Sequence, residues 1–116
     1  MLSCLMVADD FTGACDTGLQ FARFGLRTFV FIDLEDGSAP QIDADVLVLD
    51  TESRNCDPVT AERLVQTACS KLSGVRTRLF YKKVDSALRG NLATEIWATM
   101  QGFGLNLCFF APALPD

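Results

Sequence analysis

Three carboxylates stand close together near the start of the chain, directly after a short apolar run. Asp9, Asp10 and Asp16 fall within residues 8–18, which also hold two threonines and two glycines. Capping of a helix N-terminus uses one carboxylate, because its oxygen accepts a backbone N–H, and leaves the other two unexplained. Carboxylates also accept hydrogen bonds from ligand hydroxyls or bind a metal ion. The segment therefore indicates a ligand-binding site of one of these two kinds.

Two further groups of polar residues follow later apolar runs, over residues 50–54 and 81–91. A solvated surface loop is the alternative interpretation for each group. Arginine binds a carboxylate through two parallel hydrogen bonds, and basic residues concentrated at one place in an acidic chain indicate a small anionic ligand. The basic residues of these two groups are Arg54, Lys82, Lys83 and Arg89.

Strands and helices alternate in the hydrophobic pattern, which predicts how these groups are brought together. Apolar runs predict strands over residues 5–8, 28–32, 46–49, 79–83 and 105–110. Helices are predicted between them, and Asp57 with Pro58 marks the start of the second. The apolar stripes of the three helices are Cys15, Leu19 and Ala22; Ala61, Leu64, Val65, Ala68 and Leu72; and Ala93, Ile96, Trp97 and Met100.

This alternation predicts a three-layer α/β fold, with a mainly parallel sheet of about five strands and helices on both faces. In such a Rossmann-like open sheet, ligands bind at the carboxyl ends of the strands, where all three polar groups would lie. Within the strand over residues 79–83, Lys82 and Lys83 point to opposite faces, so at most one of them reaches a shared site. Residues 34–44 carry Gly37 and Pro40 without a helical stripe, so a loop is predicted there.

Composition limits the class of protein. A chain of 116 residues has room for one domain, and its net charge of −5 argues against nucleic acid as a partner. No apolar run is long enough to span a bilayer, and Asp9 and Asp10 interrupt a signal peptide, so a cytoplasmic protein without a membrane partner is expected. Five cysteines and no histidine disfavour a zinc site or a disulfide framework.

The three polar groups together resemble the four-carbon acid sugar kinase family. Residues 8–18 read Ala-Asp-Asp-Phe-Thr-Gly-Ala-Cys-Asp-Thr-Gly, residues 53–54 read Ser-Arg, and residues 81–91 read Tyr-Lys-Lys-Val-Asp-Ser-Ala-Leu-Arg-Gly-Asn. Their order and spacing are similar to that family's N-terminal, sugar-binding domain over nearly the whole chain. Residues 111–115 resemble its next signature, which usually has an aromatic residue where Leu114 stands.

The resemblance implies an ATP-dependent kinase of erythronate, threonate or an oxo-tetronate. It implies that Arg54 and Arg89 bind the sugar carboxylate, that hydroxyls meet Asp9, Asp10, Ser86 and Asn91, and that Asp10 or Asp85 is the catalytic base. Ser53 and Asp85 are further candidate contacts by the same resemblance. Asp16 and Lys82 complete the predicted substrate-binding set on the strength of their positions. Metal binding by Asp9 and Asp10 becomes the second choice, and no metal site is predicted.

The same resemblance implies that residues 1–116 form an N-terminal sugar-acid-binding domain, itself incomplete. The family's C-terminal nucleotide-binding domain is absent from the sequence, and there is no Gly-x-x-x-x-Gly-Lys phosphate loop. ATP and Mg²⁺ are therefore expected to bind the full-length kinase and not this chain alone, which we expect to be inactive. The expected partners are a sugar acid, the nucleotide-binding domain and, through exposed apolar surface, a second copy.

Two alternatives from other classes remain at this stage. A two-component receiver domain also has about this length, an acidic pair after its first strand and an aspartate near the end of its third strand, here Asp50. The predicted loop over residues 34–44 and the lack of a lysine after residue 105 oppose it. The other alternative is a non-catalytic sugar-acid-binding or interaction fragment.

Overall fold

The computed structural model describes residues 1–32 and 42–113. The elements in chain order are β1 (Leu2–Ala8), α1 (Phe11–Arg23), β2 (Thr28–Phe31), β3 (Val46–Asp50), α2 (Pro58–Lys71), β4 (Thr77–Lys83) and α3 (Leu92–Phe103). Most of the predicted loop over residues 34–44 and part of the 111–115 signature lie outside the described residues. No helix among the described residues combines the length and apolar character needed to cross a bilayer.

The four strands form one parallel sheet in the order β2-β3-β1-β4. Ala8 pairs with Asp50 on one side and with Lys83 on the other, so β1, β3 and β4 end side by side. Because the strands are parallel, the loops that follow them emerge at the same edge. This order differs from the receiver-type order, in which β1 lies between β2 and β3, and it removes the receiver alternative.

Helices cover both faces of the sheet, which confirms the predicted three-layer α/β fold. On one face α1 packs over a core that includes Cys4, Met6 and Val48. On the other face α2 and α3 pack over a core that includes Leu5, Val7 and Leu49. Alternate residues of β1 thus enter opposite cores, and β1 and β3 are buried throughout apart from the half-buried Ser3.

The helices form where the sequence predicts them, but two of them bury a different face. In α2 the predicted stripe is largely confirmed, with Ala61, Val65 and Ala68 fully buried. Helix α1 packs on the sheet through small residues, which include Gly18. A Cβ at residue 18 would lie 3.4 Å from Thr28 Cγ2. The predicted stripe residue Leu19 is instead 49% exposed. Close approach of a helix to a sheet selects small residues, which an apolar-stripe search does not weight.

In α3 the buried residues are Glu95, Ala98 and Thr99, whereas Trp97 from the predicted stripe is 60% exposed. The missed face therefore contains a buried carboxylate.

The fifth strand predicted over residues 105–110 is wrong, because these residues follow α3 without strand pairing. Leu107 is 70% exposed and Phe109 is 88% exposed. The segment and β4 both line a cavity of about 510 Å³, so open space and not a hydrogen-bonded ladder lies between them. An apolar run gives the composition of a strand, but a strand forms only where a neighbouring edge comes within hydrogen-bonding distance.

The cysteines are free thiols, and Cys4 and Cys69 are buried in the two cores. Burial raises the pKa of Cys4 to about 11 and that of Cys69 to about 12. These two residues therefore act as small apolar side chains.

Candidate functional site

The three predicted polar groups meet at the carboxyl ends of β1, β3 and β4. The backbone N–H of Thr51 donates to Ala8 O at 2.9 Å, and those of Ser53 and Arg54 donate to Asp9 O at 3.0 and 3.1 Å. The β3–α2 loop is therefore held against the end of β1. Asn91 joins the β4–α3 loop to it, because its Nδ2 donates to Ser53 O at 3.2 Å and to Cys56 O at 2.9 Å.

Arg54 lies at the centre of this arrangement. Its Nε and Nη2 donate to the two carboxylate oxygens of Asp9 at 3.1 and 3.0 Å, and Nη2 also donates to Asp10 Oδ1 at 2.8 Å. Its Nη1 lies 3.7 Å from Asp85 Oδ1. The side chain of Asp9 is 1% exposed and that of Arg54 is 14% exposed. The hydrogen bonding of its guanidinium to the Asp9 carboxylate is the largest cause that raises the pKa of Arg54. One guanidinium thus balances three carboxylates from two strand ends.

Asp10 also caps α1, which accounts for one of the three carboxylates within residues 8–18. Its Oδ1 accepts the backbone N–H of Gly13 at 3.1 Å. A Cβ at residue 13 would lie 2.6 Å from that oxygen, so the cap requires glycine there. Asp10 therefore has its position fixed from two directions, by the helix N-terminus and by Arg54.

Asp85 organises the loop after β4. Its Oδ2 accepts the backbone N–H groups of Ala87 and Arg89, both at 3.2 Å, and the Nε of Arg89 at 2.7 Å. Its Oδ1 accepts Arg89 Nη2 at 2.9 Å. The Arg89 guanidinium is the largest cause that holds the pKa of Asp85 far below its usual range. Asp85 is therefore ionised and a weak proton acceptor at neutral pH.

Gly90 leaves room for the Asp9–Arg54 pair. Its φ is +94°, and a Cβ there would lie 3.0 Å from Asp9 Oδ2 and 3.2 Å from Arg54 Cγ. Left-handed backbone alone costs a residue with a side chain about 1–2 kcal/mol. We expect Gly90→Ala to exceed that cost, because the new methyl group also pushes on the ion pair.

Gly74→Ala is the matched control for this prediction. Gly74 has a φ of +85° and nothing within 4 Å of its Cβ position, so it carries the backbone cost alone. Denaturant unfolding of both variants measures the difference. Equal losses of unfolding free energy would contradict the assigned contact between residue 90 and the Asp9–Arg54 pair.

Lys82 and Lys83 diverge as predicted for neighbouring residues of one strand. The Nζ of Lys82 lies 3.5 Å from Glu95 Oε2 on α3, and its side chain is 10% exposed. Glu95 also accepts the hydroxyl of Ser53. Lys83 approaches α1 instead, where its Cγ would lie 3.7 Å from a Cβ at Gly13. Of the two lysines, Lys82 is the one connected to Ser53.

Two predicted site residues lie at the margin. Ser86 is exposed on the loop that Asp85 organises. Asp16 lies on the exposed side of α1, and across residues 1–32 and 42–113 no hydrogen bond or ion pair joins its carboxylate to the others. Glu95 belongs to the arrangement but was missed by the sequence analysis. The available signal was its spacing, three residues before Ala98 and four before Thr99 on the buried face of α3.

Asp50 is a buried carboxyl beside the site. It is 2% exposed, its Oδ1 accepts the backbone N–H of Glu52 at 3.1 Å, and its buried Oδ2 has no hydrogen-bond partner among the described residues. Loss of solvent is the main cause that raises its pKa to about 7, with contributions from Glu52 and Asp10. Asp50 is therefore partly protonated at neutral pH.

This raised pKa predicts a pH dependence of stability. Because an unfolded aspartate has a pKa of about 3.9, the folded chain binds more protons than the unfolded chain from there to about pH 7. The free energy of unfolding should therefore fall as the pH rises through this window. Asp50→Asn should flatten that fall in urea titrations at several pH values, whereas Asp16→Asn should keep it. A wild-type chain with constant stability across the window would contradict the prediction.

The described part of the chain contains no group of three or more His, Cys, Asp or Glu side chains arranged to hold a metal ion. The carboxylates of Asp9 and Asp10 bond instead to the guanidinium of Arg54.

Comparison with known proteins gives a consistent set of relatives. Residues 4–116 match the model of a family described as the sugar-binding N-terminal domain. The chain is 41% identical over 112 residues to a D-threonate kinase of Salmonella typhimurium, covering 96% of this chain and 26% of that protein. It is 39% identical over 109 residues to a D-erythronate kinase of Heliobacterium modesticaldum, covering 90% of this chain and 24% of that protein. The chain thus spans about a quarter of the length of the curated relatives it matches.

A solved structure shares both fold and sequence. It is a domain of unknown function from Bordetella bronchiseptica, with bound citrate and as a domain-swapped dimer. The TM-score is 0.73 at 35% identity, covering 86% of this chain and 26% of that one. A 3-oxo-tetronate kinase of Escherichia coli is also 31% identical, over 119 residues that cover 99% of this chain and 30% of that protein.

Proposed function

Because this chain belongs to the family of sugar-binding N-terminal domains, we propose that it binds a four-carbon sugar acid as the substrate half of an ATP-dependent kinase. The observation that carries the proposal is the meeting of two arginines, Arg54 and Arg89, with three carboxylates at the ends of β1, β3 and β4; the carboxylates belong to Asp9, Asp10 and Asp85. The relatives are named threonate, erythronate and 3-oxo-tetronate kinases, and each of these names refers to a four-carbon acid. Citrate, held by the related Bordetella structure, is also a hydroxylated carboxylate.

Arg89 is our choice for the ligand carboxylate. Its side chain is 68% exposed while Nε and Nη2 donate to Asp85. A guanidinium carries five N–H donors, so donors remain for a second carboxylate. Arg54 was predicted to share this role, but its Nε and Nη2 donate to Asp9 and Asp10. We therefore assign Arg54 the task of holding those two carboxylates.

Asp10 is our choice for the catalytic base. Its side chain is 24% exposed, compared with 1% for Asp9. Phosphoryl transfer needs mainly positioning and charge stabilisation, with an acidic group that accepts the hydroxyl proton. The low pKa of Asp85 makes it the weaker candidate. Asp10 and Ser86 would then meet the hydroxyls of the sugar acid.

The nucleotide would come from outside residues 1–116. The kinase resemblance implies ATP and Mg²⁺, and we assign both to the remainder of the full-length enzyme. In this account the chain alone binds the sugar acid without phosphorylating it. A coupled assay of ATP turnover by the purified chain with D-threonate should stay at background, and it should rise for the full-length protein.

Calorimetry tests the binding proposal directly. We expect heat of binding when the chain is titrated with D-threonate or D-erythronate, and much weaker binding of threitol, which has the hydroxyls without the carboxylate. Arg89→Ala should weaken threonate binding by on the order of tenfold, as one charge-assisted contact is lost. Arg76→Ala removes the same charge at the opposite end of β4 and serves as the control. Equal affinity for threitol and threonate would contradict the proposal.

A second copy of the chain remains a proposed partner. The related Bordetella structure is a domain-swapped dimer, and this chain exposes Leu107 and Phe109 beyond α3. Light scattering after size exclusion would distinguish a dimer from a monomer.

A further inference from the structure

Glu95 is a buried acidic residue that the binding proposal above does not use. It is 1% exposed on α3, where the other buried residues are Ala98 and Thr99. A buried carboxylate is costly unless it is paired and hydrogen-bonded, and an apolar side chain of the same size would fill the position without that cost. Its presence therefore calls for an explanation in terms of the groups it contacts.

Those groups come from the ends of two different strands. The hydroxyl of Ser53, after β3, donates to Glu95 Oε1. The Nζ of Lys82, in β4, lies 3.5 Å from Glu95 Oε2. Ser53 is 0% exposed and lies 2.6 Å from Thr51 Oγ1, which in turn donates to Ala8 O at the end of β1. The Glu95 carboxylate thus connects groups from the ends of β3 and β4, and Ser53 is held to the end of β1 by its backbone N–H, which donates to Asp9 O at 3.0 Å.

The charge of Lys82 depends on the groups that face it. Burial lowers the pKa of Lys82, while Glu95 from α3 and Asp9 from the end of β1 raise it in part. Lys83, its neighbour in β4, lowers it further. Cys69 on α2 is also close enough for Lys82 to act on its pKa. Among these groups Glu95 makes the largest opposing contribution, so it does most to keep the ammonium charged.

We propose that Glu95 is a positioning residue, whose carboxylate holds the Lys82 ammonium and the Ser53 hydroxyl in the orientation that receives the sugar acid. This inference rests on the proposed function, because Lys82 and Ser53 belong to the substrate-binding set that the sequence analysis predicts for the sugar acid. Glu95 itself need not contact the ligand. It supplies a negative charge behind the site, so that a cation can stay buried close to an anionic ligand.

The first test needs no ligand. The ¹³Cε shift of Lys82, followed by NMR against pH, reports the protonation of its amine. Glu95→Gln should lower the midpoint by about one pH unit or more, since it removes the main opposing charge. Glu95→Asp keeps the charge and should restore most of the wild-type midpoint. Thr99→Val is the control, because the Thr99 hydroxyl donates to the backbone oxygen of Glu95 and not to its carboxylate.

The second test adds D-threonate as the probe. Glu95→Gln should bind it about tenfold more weakly, and the deficit should grow as the pH rises, because a less stable ammonium is lost earlier. If Glu95→Gln does not fold, judged from its ¹H–¹⁵N spectrum, Glu95→Asp decides the matter through its own Lys82 midpoint and affinity. A Lys82 midpoint that is unchanged in Glu95→Gln would overturn the inference, and so would a midpoint in Glu95→Asp that falls by a full pH unit or more. If Glu95→Gln shifts the Lys82 midpoint but the wild-type chain itself binds no threonate, the proposed function alone is overturned.

Discussion

Replacement of Arg54 by methionine should lower the free energy of unfolding by about 3–5 kcal/mol and abolish sugar-acid binding. Methionine keeps much of the side-chain length but removes every donor. The 1%-exposed carboxylate of Asp9 then loses both of its guanidinium bonds, and Asp10 loses one. Because Asp9, Asp10 and Asp85 would repel one another without the cation, the loops after β1, β3 and β4 should separate.

The control for this prediction is Arg27→Met. Arg27 also bonds two carboxylates, Asp43 and Asp45, but its side chain is 52% exposed and lies at the other end of the sheet. Water replaces those bonds, so the loss of stability should be a small fraction of that for Arg54→Met. Urea unfolding and threonate calorimetry measure both variants. Similar losses of stability for the two would contradict the central role of Arg54.

Replacement of Asp85 by asparagine should reduce sugar-acid affinity on the order of 100-fold, because the roughly tenfold loss of the Arg89 contact is joined by a similar loss from the loop that Asp85 organises. The carboxylate accepts the backbone N–H, Nε and Nη2 of Arg89. An amide has one acceptor oxygen and no charge, so both the loop and the direction of Arg89 should be lost. Calorimetry with D-threonate gives the change.

The same variant should change the response of stability to acid. Because the folded pKa of Asp85 lies well below the unfolded value of about 3.9, its contribution is present above pH 4 and is lost as the pH falls below that value. Asp85→Asn should remove this part of the acid-induced loss.

Asp45 offers a close control, because it accepts the same three groups from Arg27, at 2.8, 3.1 and 3.2 Å, and its pKa is also lowered. Asp45→Asn should change the acid response but leave threonate affinity intact. A loss of affinity equal to that of Asp85→Asn would argue against a site at the end of β4.

The layer architecture was predictable because buried strands and helices each require a recognisable pattern of apolar residues in the sequence. The apolar runs of β1 and β3, the capped stripe of α2 and the intervening helices each satisfy a local rule. The strand order was not predictable, since nothing local places β3 between β2 and β1. The run over residues 105–110 failed for a related reason: its composition suits a strand, but pairing depends on what lies beside it.

The site was predictable in its members and less so in their roles. Strand ends brought Asp9, Arg54 and Asp85 together as expected, because parallel strands share one carboxyl edge. The sequence does not show which charged side chain each arginine pairs with, and in the structure Arg54 donates to the carboxylates of Asp9 and Asp10. Glu95 was missed because its helix buries a face adjacent to the one that the apolar stripe indicates.

The most direct test of the central claim is a ¹H–¹⁵N NMR titration of the chain with D-threonate. The account predicts that the largest shifts fall on the amides of residues 9–13, 51–54 and 84–91, which share the carboxyl edge of the sheet. The amides of residues 26–28, 43–45 and 74–77, at the opposite edge, should hardly move. Largest shifts at that opposite edge, or no shifts at saturating threonate, would contradict the account.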